Sequence, residues 1–414
     1  MNNTQPPPAE FADNLSVRHR TGRAWHFVFQ AATALAILVL TTLLFNILDG
    51  VAGYVALQPR TDPASLAAGG VALEDLPKDA LVEILRRNLS KSAITKLDNE
   101  NPFTDRSRSN VYGLVIQRVV RYEVVESWTL WESLTRPVEI KRRAADEFPT
   151  AELRFVSWLT FEFITRPQSS EAVNAGVRTA ILGSLWTIAI TILVAFPLGV
   201  GAAIYLEEYA RDSRLNRLIQ TNINNLAGVP SIIYGILGLA IFVRAMSGLT
   251  SGAVFGIVDP TTANGRTLLS AGLTLALLVL PLIIINAQEA FRAVPQSLRK
   301  AGLALGATRW QTVWSHVLPN ALPGILTGTI LAVSRAIGET APLVVIGAST
   351  AISFDPASPF SKFTALPIQI YQWTSRPQAE WRHLAAAAIV ILLILLLSLN
   401  ASAIVMRNRF TRRF

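Results

Sequence analysis

The sequence predicts an all-α membrane protein of six transmembrane helices, with a small α+β domain between the first and the second. Three observations predict it. Of the 414 residues, 51% are hydrophobic and only 16% are charged, against about 25% charged in an average soluble chain. The mean hydropathy is +0.39. Six runs, roughly 27–48, 179–206, 226–243, 268–285, 321–347 and 384–406, meet or approach the ~20 apolar residues that a helix needs to cross a bilayer core. None of them alternates like a barrel strand, so helices are left to satisfy the backbone in lipid.

The first run is longer than the 7–15 apolar residues of a secretory signal, which reads as an uncleaved anchor. Lys and Arg in the short loops set the orientation. Residues 1–26, 207–225, 286–320 and 407–414 carry 14 Lys or Arg in 88 residues, whereas 244–267 and 348–383 carry five in 60. The first group is therefore expected in the cytoplasm, with both termini. The tail RNRFTRRF, 407–414, is the clearest single vote.

Segment 49–178 follows the first span and is expected outside. DALVEILRRNLSKSAITKL, 79–97, has apolar residues at helical spacing. VYGLVIQRVVRYEVVESWTLW, 111–131, is rich in β-branched and aromatic residues and reads as strands. The charged stretch 137–151 reads as a loop. The polar, Pro-rich start, MNNTQPPPAEFADN, is expected to be disordered.

Composition excludes several functions. The chain has no cysteine, so disulfides, thiol catalysis and Cys-ligated metals are out. Its four histidines, His19, His26, His316 and His383, form no ligand pair at helical spacing. The pI near 10.1 does not indicate nucleic acid, because the basic residues sit in short loops and at the C-terminus beside apolar runs. No P-loop, HExxH or GxSxG string occurs. Energy for active transport would come from another chain or from an ion gradient.

The segment EAFRAVPQSLRKAGLALGATRWQTVWSHVLP, 289–319, is too polar to face lipid. Small residues at Ala301, Gly302, Ala304 and Gly306, and an apolar restart at Trp310, Val313, Trp314 and Val317, predict a short helix, a tight turn at Gly306 and a second helix. Small residues allow another protein's backbone to come close. The segment resembles the coupling loop of ABC importer permeases, whose pattern is E-A-A, three residues, G, nine residues, I-x-L-P. Ala301, Gly306, Leu318 and Pro319 match it. Lys300, Gly302 and His316 depart from it. NLAGVPSIIYGILGL (225–239), PLGVGAAIYLEEYA (197–210), LGATRWQTVWSHVLP (305–319) and SRAIGETAPLVV (334–345) resemble the phosphate-importer permeases of the PstA type. The resemblance covers about 155–406, and the external insert resembles an extended variant of that subunit.

That resemblance implies a MetI-like permease core over 179–406, no catalytic residue and no cofactor. It implies docking to ABC ATPase subunits through Ala301, Gly302, Gly306, Leu318 and Pro319. Further implied partners are a second homologous permease, a periplasmic phosphate-binding protein, inorganic phosphate and the lipid of a bacterial inner membrane.

Arg335 and Glu339 lie in the fifth run, four residues apart, so they can pair on one helix face. Charged residues there cost about 2.5–3.5 kcal/mol each on insertion scales and are expected to face the bundle interior. A guanidinium matches the oxygens of phosphate and stays charged, so the two are candidates for an anion pathway; the bland alternative is a structural ion pair. Thr327 and Ser334 are expected to add polarity nearby, and Pro342 to kink or end the helix. Arg178 and Arg244 are expected to snorkel to the interface. Asn222, Asn224 and Asn225 are expected to cap a helix rather than line a gate. Rival readings are a permease for another oxyanion, the sister phosphate subunit, and a membrane sensor with an ectodomain at 49–178.

Overall fold

The computed structural model describes residues 15–66, 71–100, 102–169, 171–257, 262, 264–348, 352 and 354–410. The start read as disordered, 1–14, and the last four residues of the basic tail lie outside the described residues. Helix α1, Leu15–Asp49, forms a unit of its own and is long and apolar enough to cross a membrane.

The α+β segment is built on a three-stranded antiparallel sheet, β1 (Ala52–Pro59) flanked by β2 (Tyr122–Ser127) and β3 (Glu152–Ser157). Helices α2 (Lys78–Asn88), α3 (Lys91–Glu100) and α4 (Arg108–Val115) intervene before β2, and Leu81, Leu85, Leu97, Val111 and Val115 share one core. Helices α5 (Leu130–Thr135) and α6 (Pro137–Glu147) lie between β2 and β3, and α7 (Phe161–Thr165) follows. Two expectations are corrected here. Strand structure in 111–131 is confined to β2; the preceding residues form α4 and a π-helical turn, Ile116–Val120. The charged stretch read as a loop is helix α6. Its Ile140 and Ala144, four apart, bury against Trp128 and Ala56, while Arg142–Asp146 and Arg143–Glu147 pair at i,i+4 outside. Dense charge concealed an ordinary amphipathic helix.

The remaining helices are α8 (Arg178–Ile204), α9 (Arg214–Ala227), α10 (Ser231–Gly238), α11 (Ser247–Thr250), α12 (Leu268–Arg292), α13 (Gln296–Ala304), α14 (Arg309–Thr312), α15 (Leu318–Gly338), α16 (Ala341–Ile346), α17 (Leu366–Thr374) and α18 (Ala379–Phe410). Among the described residues five helices, counting α1, are long and apolar enough to span; the bent pair α9–α10 makes six if it is one span. The predicted all-α membrane architecture therefore holds, with the small sheet in place. The sheet packs on it: Val55, Leu57, Trp158 and Phe163 share a core with Leu366, Trp373, Trp381 and Leu384.

The third run is not straight. Residues 207–225, read as a loop, contain α9, which is bent by 105° from the helix Ser231–Ala245. Pro230 at the start of α10 has no N–H to continue the ladder and disfavours helical backbone at Val229. Tyr234 donates its hydroxyl to the Leu226 carbonyl at 2.7 Å, which satisfies one acceptor freed by the break.

Small residues let the helices approach closely, as lipid-embedded packing requires. A Cβ on Gly199 would sit 2.6 Å from Ile283, and one on Gly235 would sit 2.6 Å from the Pro342 Cα. Since the latter neighbour is backbone, Gly235→Ala is expected to lower the melting temperature of the purified protein, by overpacking of about 1–3 kcal/mol. Gly201→Ala, whose Cβ meets nothing within 4 Å, is expected to leave it unchanged. Equal melting of the two variants would contradict the close approach of α10 to α16.

Candidate functional site

Two places gather the residues singled out by the sequence. The first is the loop 289–319. Helix α12 continues to Arg292, α13 follows, and Gly306 turns the chain at φ +82°. The Gly306 N–H donates to the Leu303 carbonyl at 3.0 Å and the Ala307 N–H to the Gly302 carbonyl at 3.2 Å. These two bonds form a Schellman closure, which needs a left-handed residue where Gly306 stands. Thr308 then caps α14 in a capping box with Gln311. The chain runs through a π-helical turn, Val313–Val317, into α15. The helix–turn–helix expected from the sequence is present.

The residues proposed for docking divide. Ala301 and Gly306 are exposed. Gly302 is taken up inside the loop, where a Cβ would sit 2.8 Å from the Thr312 hydroxyl oxygen; its smallness serves the loop's own closure. Leu318 packs at the root with Phe291, Val317 and Ile325, and Pro319 stands in the first turn of α15. The exposed apolar surface comes from Leu303, Leu305, Trp310 and Trp314. The two indoles stack with centroids 5.4 Å apart.

The root of this loop is held by two ion pairs that the sequence reading missed. A π-helical turn, Tyr205–Tyr209, ends α8 and presents Glu207 and Glu208. Arg292 makes a two-pronged contact with Glu207 at 2.7 and 3.1 Å. Arg299 donates to Glu208 at 2.6 Å and to the carbonyls of Phe291 and Val294. The Glu208 side chain is only 9% exposed and that of Arg299 22%. Such a fork, satisfied on all sides, fixes α13 to the end of α8. The signal available was the pair of acids closing an apolar span inside PLGVGAAIYLEEYA.

The second place is the end of α15. Arg335 Nε lies 3.4 Å from Glu339 Oε1, so the predicted pair forms. The helix, however, stops at Gly338. Glu339 is its C-terminal cap, with extended backbone at ψ 112°, and Pro342 stands in the first turn of α16. The helix therefore ends earlier than expected, ahead of Glu339. Arg335, in the last turn, is favoured by the partial negative charge of that helix end. Its side chain is half exposed, whereas that of Glu339 is 17% exposed. Thr327 and Ser334 do not join them. Ser334 donates to Asn400 of α18 at 2.6 Å, and Thr327 accepts from Arg407 at 3.3 Å.

Two further expectations are corrected. The Asn cluster caps nothing with its side chains: Ser213 caps α9, and Asn222 donates to the Leu218 carbonyl within that helix. Arg178 is engaged by Asp355 at 2.9 Å and by the Thr165 carbonyl, rather than snorkelling. Among the described residues no group of three or more His, Asp or Glu could hold a metal ion.

Residues 195–414 match the family model described as the binding-protein-dependent transport system inner membrane component. The chain is 33% identical over 215 residues to a probable ABC transporter permease protein, YqgI, of Bacillus subtilis, covering 51% of this chain and 68% of that one. It is 31% identical over 261 residues to the phosphate transport system permease protein PstA of Haemophilus influenzae, covering 60% of this chain and 86% of that one. Among solved structures, the MetNI methionine ABC transporter in an inward-facing form matches 57% of this chain and 98% of that one, at 19% identity and a TM-score of 0.43.

Removing one partner of a buried ion pair costs about 3–5 kcal/mol. Glu208→Ala is accordingly expected to loosen α13, read as faster proteolytic nicking between α13 and α14. Combining it with Arg299→Met is expected to recover part of the protection. Nicking unchanged by Glu208→Ala would remove the clamp from the account of the loop.

Proposed function

Because the chain belongs to the family of binding-protein-dependent transport system inner membrane components, we propose that it is the PstA-type permease subunit of an ATP-driven phosphate importer. It is a transporter subunit and not itself an enzyme. ATP hydrolysis belongs to a partner chain, and a second permease of the same fold completes the pathway. A periplasmic binding protein delivers phosphate to the side on which residues 49–178 lie, and both termini are cytoplasmic.

The observation that carries the anion is Arg335, a half-exposed guanidinium at the broken end of an apolar helix. A charge there is costly unless it has polar company or function. Glu339 supplies the company when no anion is present. The 3.4 Å contact is long for a charge-assisted bond, so a phosphate oxygen can compete for the guanidinium without breaking a tight pair. Glu339 then offsets part of the attraction and keeps the anion from being held too long. Several relatives named as phosphate transport system permease proteins support the choice of anion.

The exposed surface around Leu303, Leu305, Trp310 and Trp314 is the ATPase-docking face, with Ala301 and Gly306 allowing close approach. The Arg299–Glu208 and Arg292–Glu207 pairs make the loop and the end of α8 move together. Closure of the ATPase then moves the loop and the end of α8 as one piece.

Arg335→Ala is expected to abolish phosphate uptake in proteoliposomes while the second permease and the ATPase still co-purify; normal uptake would remove Arg335 from the pathway. Gly306→Leu places a side chain at φ +82°, a left-handed conformation that costs about 1–2 kcal/mol. It is expected to release the ATPase during purification. Full co-purification of the ATPase would refute the docking assignment.

A further inference from the structure

Helix α9 has three faces, and only two are accounted for. Asn216, Gln220, Ile223 and Ala227 turn inward, where Gln220 and Gln288 of α12 exchange amide hydrogen bonds at 2.8 and 3.1 Å. Arg214, Arg217, Thr221 and Asn224 form an exposed polar face. Between them runs an exposed apolar stripe, Leu215, Leu218, Ile219 and Leu226, with Leu215 65% and Leu218 60% exposed. Asn222 falls within this stripe, but it spends its amide on the Leu218 carbonyl at 2.8 Å, which lowers the cost of placing it in an apolar setting.

We propose that α9 lies in the plane of the membrane boundary, on the side of loop 289–319, with this stripe embedded in the acyl region of the lipid. Three observations select lipid as the occupant. First, the axis of α9 is bent by 105° from the apolar helix Ser231–Ala245 that follows it. Where the following helix enters the bilayer, a segment at about a right angle to it runs along the surface. Second, the helix that follows also exposes apolar residues, Ile232, Ile233 and Ile236 of α10, so the same apolar medium can cover both. Third, Arg211, Arg214 and Arg217 flank the stripe, the arrangement of an interfacial helix that meets anionic headgroups. Such a helix seats its apolar face about 5–10 Å into the headgroup boundary. The Gln220–Gln288 bonds tie it to α12 four residues before Arg292. The lipid contact is thereby linked to the root of the loop.

The absence of cysteine makes the test direct. Single cysteines at Leu215, Leu218, Ile219, Leu226, Thr221 and Asn224 are spin-labelled in the assembled complex. The complex is placed in nanodiscs of phosphatidylethanolamine and phosphatidylglycerol, and collision with oxygen and with a water-soluble nickel chelate is measured. Labels on the stripe are expected to meet oxygen freely and the nickel chelate several-fold less than labels at Thr221 and Asn224. Stripe labels shielded from both reagents would mean that the second permease covers them. Stripe labels open to nickel would mean that they face water. Either outcome overturns the proposal and leaves the importer reading intact.

Discussion

In lipid no water is available to satisfy a freed N–H or carbonyl, so a spanning helix can break only where the protein itself shelters the break. Much of the architecture follows from where this chain breaks its helices. The chain breaks between α9 and α10 at Gly228-Val229-Pro230 and between α15 and α16 at Glu339-Thr340. The segments beyond the two breaks, α10 and α16, pack on each other, with Gly235 against Pro342. Neither could stand in the bilayer alone. Together with α12, which Gly238 approaches at Thr274, they shelter each other's irregular backbone and bring a carboxylate and a guanidinium to the end of α15. The seating of α16, which begins just after Glu339, therefore depends on a glycine of α10.

A second consequence concerns force. A loop meant to transmit motion is useless if it hinges at its root. Here the root is over-determined. Arg299 ties α13 to α8 and to the carbonyls of Phe291 and Val294, Arg292 ties α12 to the same turn of α8, and Gly302 closes α13 onto Thr312 of α14. The flexible element that the glycines suggest is a packed module whose left-handed turn is fixed by two hydrogen bonds. Ion pairs of this kind are weak evidence for stability; here they set where α13 stands relative to α8, which is what the proposed docking role requires.

How much of this the sequence revealed depended on the kind of signal. Runs of about 20 apolar residues were legible because lipid imposes one length on every span. The loop 289–319 was legible because a left-handed turn favours glycine and an apolar face restarts after it at Trp310, Val313, Trp314 and Val317. Helix α6 was misread because its buried face is only Ile140 and Ala144, a stripe too thin to stand out among six charged neighbours. The β-branched stretch at 111–120 was misread because packing against α2 overrode local strand preference. The Glu207–Arg292 and Glu208–Arg299 pairs were invisible for another reason. Their partners are 85 and 91 residues apart, and no periodicity links two helices.

The early stop of α15 also sharpens the chemistry proposed for the pathway. On an unbroken helix, Glu339 would be fixed one turn from Arg335, and the pair would be as rigid as the helix. As a C-terminal cap with extended backbone, Glu339 donates its N–H to the Ala336 carbonyl over a long 3.3 Å, and its carboxylate meets Arg335 at 3.4 Å. Its carboxylate can therefore follow the hinge between α15 and α16 rather than the helix carrying Arg335. A rotation of the two permeases that shifts α16 relative to α15 would change the distance between the charges, and with it the competition between Glu339 and an anion for the same guanidinium. A transporter needs affinity that falls when the cavity opens inward. On this reading the break itself supplies that dependence.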